Sequence, residues 1–162
     1  MKRKAEEKLF YLAYTDAMTG VYNRNAYEEH ILRLNRGHTK LDNMTVVSIK
    51  LDDLNEIRYT MGNRTGDEAL KLAASCVINT LGEKADVYRM DDDEFLCIAE
   101  GDVVPHISKL YDLIEMVGKD KKYPLNVFVG YMKFDNKKHR NIDELIKDCD
   151  RQLIKAKKRA LV

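Results

Sequence analysis

The sequence predicts one α+β domain in which a mostly antiparallel sheet is flanked by helices, with the element order β-α-α-β-β-α-β. Runs of β-forming residues alternate with segments whose apolar residues recur at helical spacing. Two of the β-forming runs are separated only by a short acidic turn, which is typical of an antiparallel hairpin. The length of 162 residues suits a single domain with its own core.

The first predicted elements are helical. Residues 1–14 form a charged helix that ends in apolar residues. Asn23 is suited to cap a second helix over residues 24–36, and Gly37 is suited to end it. The apolar face of this helix comprises Ala26, Tyr27, His30, Ile31 and Leu34.

A central strand is predicted at residues 44–51, where β-branched residues are frequent. We expect a helix from about residue 53 that is broken near Gly62. The helix resumes from Gly66 and continues to about Leu81, because apolar residues recur there at helical spacing.

The hairpin strands follow at residues 86–90 and 94–99. Pro105 suits the first turn of a helix that runs through Val117, and residues 125–131 form another strand.

The last helix is marked by a capping-box signature, because Glu144 follows Asn141 by three residues. Its apolar face comprises Ile142, Leu145, Ile146, Cys149 and Leu153. This helix and the first two helices flank the β-α-α-β-β-α-β order.

Composition excludes several classes of protein. Hydrophobic residues make up 44% of the chain and charged residues 34%, which is ordinary for a soluble globular domain. A net charge of +1, without a stripe of arginine or aromatic residues, gives no case for a nucleic-acid partner. No run approaches the ~20 apolar residues that span a bilayer, and no signal peptide opens the chain. We therefore expect a cytoplasmic protein without direct membrane insertion.

Cysteines and histidines are expected to be structural. The cysteines are odd in number, far apart and in apolar or helical contexts, which favours buried reduced thiols over disulfides or a metal site. The histidines form no pair with ligand-like spacing. These residues are Cys76, Cys97, Cys149, His30, His38, His106 and His139.

The strongest functional signal lies at the hairpin tip, where residues 91–94 are four consecutive carboxylates. Acidic side chains this close repel one another unless a cation lies among them. Three further segments, at residues 16–24, 49–70 and 150–157, accompany the tip in a recognisable order.

Together these segments resemble the GGDEF domain, the catalytic unit of bacterial diguanylate cyclases. Residues 16–24 match that family's Asp-x-Leu-Thr-Gly-Leu-x-Asn-Arg, and residues 62–70 match its Gly-His-x-x-Gly-Asp helix junction. Residues 150–157 resemble its closing Ala-Asp-x-Ala-Leu-Tyr-x-Ala-Lys helix. The resemblance covers residues 14–158 and implies a nucleotidyl-cyclase-like, ferredoxin-like sheet.

The resemblance also implies a domain organisation. Residues 1–14 are expected to be a connector helix from an upstream sensory domain, the alternative being the fraying N-terminal helix of a stand-alone domain, and residues 15–162 are expected to be a single GGDEF-like domain. The chain is then expected to be a piece of a longer protein. Its partners are an upstream sensory domain or a partner protein, and a second copy of the chain in a homodimer.

Diguanylate cyclases join two GTP molecules by attack of a 3′-hydroxyl on an α-phosphate, with Mg²⁺ ions that neutralise charge. The resemblance places catalytic roles on Asp93 and Glu94, and metal ligation on Asp93 and the backbone carbonyl of Leu51. The nucleotide-binding positions that it implies are Asp67, Asp53, Leu54, Asn55 and Lys157.

The sequence departs from the family at the metal site, because the aspartate that ends the first strand is replaced by Lys50. Mg²⁺ requires oxygen ligands at about 2.1 Å, whereas an ammonium has no lone pair and repels the ion. The hairpin glycines are replaced by Asp91 and Asp92. Aspartate tolerates positive φ, so we still expect the turn to form, but its carboxylates would repel a triphosphate.

The expected guanine pocket also differs from that of the family. Arg58 and Tyr59 replace the family's asparagine and aspartate, and Asn63 replaces its histidine. Asp67 is retained, and it either contacts guanine or caps the helix that it opens. The Gly-Arg of the last helix reads Ala160-Leu161, and residues 81–86 lack the product-inhibition motif Arg-x-x-Asp.

Three functional hypotheses follow. The first is an inactive, degenerate GGDEF domain that acts as a signalling or interaction module, with no cofactor expected. The second is an active cyclase that holds Mg²⁺ through displaced ligands such as Asp52, Asp53 or Asp91. The third is a residual purine-nucleotide binder or hydrolase. Under the first hypothesis, we expect the Lys50 ammonium to replace the metal and to pair with Asp93, or with Asp91 or Asp92.

Overall fold

The computed structural model describes residues 2–37 and 40–160 and confirms the predicted α+β class. The helices within these residues are α1 Lys2–Tyr14, α2 Arg24–Arg36, α3 Leu54–Met61, α4 Asn63–Leu81, α5 Val104–Gly118 and α6 Ile142–Ala160. The strands are β1 Met44–Leu51, β2 Ala85–Asp91, β3 Glu94–Glu100 and β4 Val127–Lys133. His38 and Leu161, which enter the sequence analysis, lie outside the described residues.

The four strands form one sheet in the order β2-β3-β1-β4, and all neighbouring strands are antiparallel. The predicted central position of β1 is confirmed, because β1 pairs with β3 on one side and β4 on the other. At the end of β1, Lys50 lies opposite Glu94 of β3 and Phe128 of β4.

Two hydrophobic clusters cover the two faces of the sheet. Val47, Ile49 and Leu51 belong to the cluster that packs against α3, α4 and α5. Val46 belongs to the cluster that includes buried residues of α2 and α6. Because side chains alternate along a strand, Leu51 points to the first face and Lys50 to the second.

Local capping signals place several helix ends as predicted. Asn23 Oδ1 accepts a hydrogen bond from the Ala26 N–H at 3.0 Å at the start of α2. At α6, Asn141 Oδ1 accepts from the Glu144 N–H at 3.0 Å, and Glu144 Oε2 accepts from the Arg140 N–H at 2.8 Å. The predicted apolar face of α6 is buried throughout.

Two predicted boundaries were wrong. Helix α4 begins at Asn63 and not at Gly66, because Gly62, with a φ of 94°, redirects the chain within a single residue. Strand β4 spans 127–133 and not 125–131, because pairing with β1 sets its limits and places Val127 opposite Leu51.

The hairpin turn forms as expected, but without the positive φ that we had anticipated. Among the described non-glycine residues, only Asp53 has a positive φ. An irregularity in the β2–β3 pairing between Arg89 and Asp91 accommodates the turn, and the Asp92 N–H donates to Asp91 Oδ1 at 2.8 Å.

Helix α1 has no buried residue, and its apolar end at Leu9, Phe10, Tyr11 and Leu12 is exposed. The helix is attached to α2 by a hydrogen bond from the Tyr14 hydroxyl to Glu29 Oε1 at 2.8 Å. None of the helices within residues 2–37 and 40–160 combines the length and the apolar character needed to cross a bilayer. The three cysteines are buried free thiols, as predicted.

Candidate functional site

A cavity of about 340 Å³ lies where β1 ends, between the hairpin tip and the start of α3. It brings together most of the site residues that the sequence indicated, while Glu94 and Asp67 lie elsewhere. The lining residues are Lys50, Leu51, Asp52, Asp53, Leu54, Asn55, Glu56, Asp93, Phe128 and Lys157.

Backbone hydrogen bonds hold the walls of this cavity together. The Leu51 N–H donates to the Asp93 carbonyl at 2.8 Å, and the Asp52 N–H donates to the Asn126 carbonyl at 2.9 Å. Asp53 adopts the left-handed conformation, with φ 58° and ψ 25°, as the residue before α3. Its carbonyl accepts from the Ile57 N–H at 3.0 Å, so the chain turns sharply from β1 into α3.

Four carboxylates and two ammonium groups share the cavity. Burial raises the pKa of Asp52, the neighbouring Asp53 charge raises it further, and the Lys157 charge opposes the rise. Neither Lys50 nor Lys157 forms an ion pair within 4.0 Å in the described part of the chain. Both ammonium groups therefore remain available to repel a cation in this cavity.

The expectation that Lys50 pairs with Asp91, Asp92 or Asp93 is wrong. Lys50 lies directly opposite Glu94, and its charge opposes the rise in the Glu94 pKa without a close ion pair. Lys50 shares a sheet face with Glu94 and a cavity with Asp93, but its ammonium group lies more than 4.0 Å from every carboxylate oxygen of the described residues.

Two arginines supply the cations at the hairpin tip instead. Arg58 contacts both carboxylate oxygens of Asp92, with Nη2 at 3.2 Å from Oδ1, and Nη2 lies 3.4 Å from Asp67 Oδ1. Arg89 Nη2 contacts Asp92 Oδ1 at 3.2 Å, and Nη1 contacts the two Asp16 oxygens at 3.1 and 3.2 Å. We call these five residues the arginine network. It joins the first motif, the hairpin, α3 and α4.

The interpretation of Asp67 as a helix cap was also wrong. Helix α4 begins at Asn63 after Gly62, so Asp67 lies inside the helix and accepts from Arg58. The stem of Arg58 lies against Gly66, where an added Cβ would contact Arg58 Cγ and lie 3.0 Å from Nε. Arg58 therefore fills the space between α3 and α4.

Glu94 lies apart from Asp93 and lines a second cavity of about 230 Å³ with Asp91 and Asp150. Burial raises the pKa of Glu94, and the Asp150 charge raises it further. Burial also raises the pKa of Asp150, although the Ser48 hydroxyl donates to it at 3.1 Å. Asp93 and Glu94 are therefore consecutive in sequence but line different cavities.

The pKa values of Glu94 and Asp150 predict a pH-dependent cost. A carboxyl group whose pKa is raised in the folded state destabilises the fold when ionised, and the cost is relieved as pH falls through that raised pKa. We expect Glu94→Gln to stabilise the protein by about 0.5 kcal/mol at pH 7, with the gain disappearing near pH 4. Thermal unfolding of both proteins between pH 4 and pH 7 measures this gain in stability. Glu100→Gln, an exposed change on the same strand, should show no such pH-dependent gain.

Arg58 and Arg89 have roles at the hairpin tip that the sequence did not reveal. Arg89 precedes Asp92 by three residues, so local spacing could have indicated that pair. No local signal indicates the contact between Arg58 and Asp92, because 34 residues separate them. Across residues 2–37 and 40–160, no group of three or more His, Cys, Asp or Glu side chains is arranged to hold a metal ion.

Comparison with known proteins identifies relatives of the chain. The family model described as "Diguanylate cyclase, GGDEF domain" matches residues 13–160. The chain is 32% identical over 98 residues to the cyclic di-GMP phosphodiesterase PdeR of Escherichia coli, covering 60% of this chain and 15% of that protein. It is 32% identical over 95 residues to the probable diguanylate cyclase DgcJ of the same organism, covering 58% of this chain and 19% of that protein.

The fold is also similar to solved structures. Diguanylate cyclase SiaD of Pseudomonas aeruginosa, crystallised with its activator SiaC, superposes with a TM-score of 0.81 at 19% identity. The match covers 98% of this chain and 64% of that one. The chain thus spans less than a fifth of PdeR and DgcJ, and it shares its fold with the SiaD cyclase.

Proposed function

Because the chain belongs to the GGDEF domain family, we propose that this signalling domain of cyclic di-GMP metabolism does not itself synthesise cyclic di-GMP. Its role is to couple an upstream sensory domain or a partner protein to the signalling pathway, in the cytoplasm. The observation that carries this proposal is Lys50, an ammonium group at the end of β1 in the cavity that also contains Asp93.

The cavity does not suit Mg²⁺. The ion prefers several oxygen ligands in octahedral geometry, and substrate phosphates usually complete its coordination. Here Lys50 and Lys157 both face the cavity, and neither is neutralised by an ion pair within 4.0 Å in the described residues. Asp93 and the Leu51 carbonyl are vestiges of the family's metal site, and Glu94, which lines the second cavity, is a vestige of its catalytic set.

Arg58 supports the same proposal at the base pocket. Its guanidinium lies between Asp92 and Asp67, and its stem packs on Gly66. A guanine that contacts Asp67 would have to displace a doubly paired, largely buried arginine. The remaining positions implied for nucleotide contact cannot make up for the loss of the base pocket, because their cavity contains four carboxylates that would repel the phosphates. These positions are Asp53, Leu54, Asn55 and Lys157.

The coupling role is supported by α1 and by a structural relative. Helix α1 exposes its apolar end, which suits continuation into another domain or pairing with a second chain. The SiaD structure contains a cyclase of this fold bound to an activator protein. We extend protein-mediated regulation to this chain as part of the proposal.

Incubation of the purified chain with GTP and Mg²⁺ or Mn²⁺ should yield no cyclic di-GMP. The reason is that two cations oppose the metal and Arg58 closes the base pocket. Isothermal titration calorimetry should also detect weak or no GTP binding, and Mg²⁺ should not strengthen it. Product formation at a rate proportional to the square of dilute enzyme concentration would contradict the proposal, since it would require two competent subunits.

An alternative with a specific observation in its favour is an active cyclase with displaced ligands, because Asp52 and Asp53 line the cavity with Asp93. Asp91 does not serve this alternative, since it lines the second cavity. Micromolar GTP affinity that is lost on Asp67→Ala, without product formation, would instead favour a nucleotide sensor.

We expect Lys50→Asp to destabilise the metal-free protein by about 1 kcal/mol, because it adds a negative charge beside Glu94 and Asp93. Added Mg²⁺ should restore part of this loss, since the cavity would then contain an additional oxygen ligand. Urea unfolding with and without Mg²⁺ measures both effects. Lys50→Met, which removes charge without adding any, is the control and should show no response to Mg²⁺.

A further inference from the structure

A strongly basic groove of about 720 Å³ lies between the outer face of α6 and the loop that follows β4. Five of its lining side chains are cationic and two are acidic, whereas the whole chain has a net charge of only +1. We call it the α6 groove, and its cations are Lys138, Arg140, Lys147, Arg151 and Lys155. It shares no lining residue with the cavity at the end of β1.

A buried histidine fixes the shape of the α6 groove. His139 Nδ1 accepts from the Asp135 N–H at 3.0 Å, and its Nε2 contacts Asp148 Oδ2 of α6 at 2.8 Å. The Asp135 carbonyl accepts from the N–H groups of both Lys138 and His139, at 2.9 and 2.8 Å. The loop is therefore attached to α6, and the backbones of the two walls of the groove are held together.

The two arginines of the groove are oriented but retain free donors. Arg140 Nε lies 3.6 Å from Glu144 Oε1, and Arg151 Nη1 lies 4.0 Å from Asp148 Oδ1. Their side chains are 91% and 70% exposed. Since a guanidinium has five N–H donors, each arginine can donate to a further carboxylate in bidentate geometry.

The cations on α6 have the spacing of an extended chain. Lys147, Arg151 and Lys155 follow one another at four-residue intervals on an exposed face, which corresponds to about 6 Å of helix rise per step. Alternate side chains of an extended strand are separated by roughly 6.6 Å. Acidic residues at every second position of a strand would therefore meet successive cations.

From this match of charge and spacing, we propose that the α6 groove binds an acidic, extended segment of a partner protein. A protein segment suits the mixed lining, because its backbone N–H and hydroxyl groups can donate to Glu144 and Asp148 while its carboxylates meet the cations. Nucleic acid suits it less, since both acids would repel phosphates, no Phe, Tyr or Trp among the described residues lines the groove, and the His139 ring is buried. A bilayer suits it less because the groove is concave and its one apolar lining residue, Met132, is half-buried.

Fluorescence anisotropy with a labelled peptide of alternating glutamate and threonine tests the proposal on the full chain. We expect saturable binding that weakens with salt, and a loss of at least about tenfold in affinity in the double variant Lys147→Glu, Arg151→Glu. The matched control is Lys71→Glu, Lys109→Glu, which makes the same charge change on exposed residues of α4 and α5. It should change the affinity by less than about twofold.

Several results would overturn the proposal. These are absence of peptide binding, equal weakening in both double variants, or tighter binding of single-stranded DNA or of anionic vesicles at equal charge. Circular dichroism verifies that both double variants fold. If the first variant does not fold, Lys147→Gln, Arg151→Gln takes its place and should still weaken binding about fivefold. Cyclic di-GMP production is a separate readout, so a failure here leaves the proposed lack of synthesis unaffected.

Discussion

Replacement of Gly130 with valine should destabilise the protein by about 3 kcal/mol or more, which is a large part of the total stability of a domain this size. Strand β4 passes so close to α6 that a Cβ at position 130 would lie 2.7 Å from Leu153 Cα and 2.8 Å from the Gln152 carbonyl carbon. These are backbone atoms, so no side-chain rotation can relieve the overlap. Either α6 must move away from the sheet or β4 must leave its register with β1.

Urea unfolding of Gly130→Ala and Gly130→Val measures this effect, and alanine should give the smaller loss. Gly118→Ala is the matched control, because its Cβ would come no closer than 3.3 Å to Leu125 Cβ and 3.8 Å to the Leu125 carbonyl oxygen. That variant should lie within about 1 kcal/mol of the wild type. A Gly130→Val protein as stable as the wild type would show that α6 does not pack on β4 as described.

Arg89→Met should cost about 2–3 kcal/mol, because it leaves Asp16 charged and largely buried without its cation. The Arg89 side chain is 13% exposed and that of Asp16 is 19% exposed, so water screens the pair only partly. Asp16 also accepts from the Thr19 N–H and hydroxyl, at 3.0 and 2.6 Å. Arg89 is the only cation of the arginine network that contacts Asp16, and methionine preserves most of its volume.

A double-mutant cycle with Asp16→Asn separates charge from packing. If the loss arises from an uncompensated carboxylate, Asp16→Asn in the Arg89→Met background should recover part of the stability. Arg3→Met is the exposed control, since Arg3 pairs with Glu7 on α1 at 92% exposure, and it should cost less than about 0.5 kcal/mol. Equal losses for Arg89→Met and Arg3→Met would contradict the described network.

The sequence determined those elements whose signals are local. The strand Met44–Leu51 was predicted with its observed bounds, because β-branched residues fill it and the chain is buried on both faces there. Helix α6 was predicted from the Asn141 and Glu144 cap and from an apolar face that is buried as expected. The GGDEF family was also recognisable, since its motifs are short runs whose residues are consecutive.

The sequence also located most of the cavity at the end of β1, because Lys50, Leu51, Asp53, Leu54 and Asn55 lie in one short segment and meet at one point. Lys157 was placed there by the resemblance. The resemblance to the family also predicted that Lys50 would lie beside the acidic hairpin.

Only the tertiary structure decided which charges meet. It placed Asp93, in the hairpin turn, and Glu94, in β3, at different cavities, and it paired Asp92 with Arg58 and Arg89 in place of Lys50. Propensity and periodicity act over a few residues, so they define helices and strands from the sequence. The partner of a long charged side chain depends instead on how distant elements pack, and a shift of one position along a strand moves it to the opposite face.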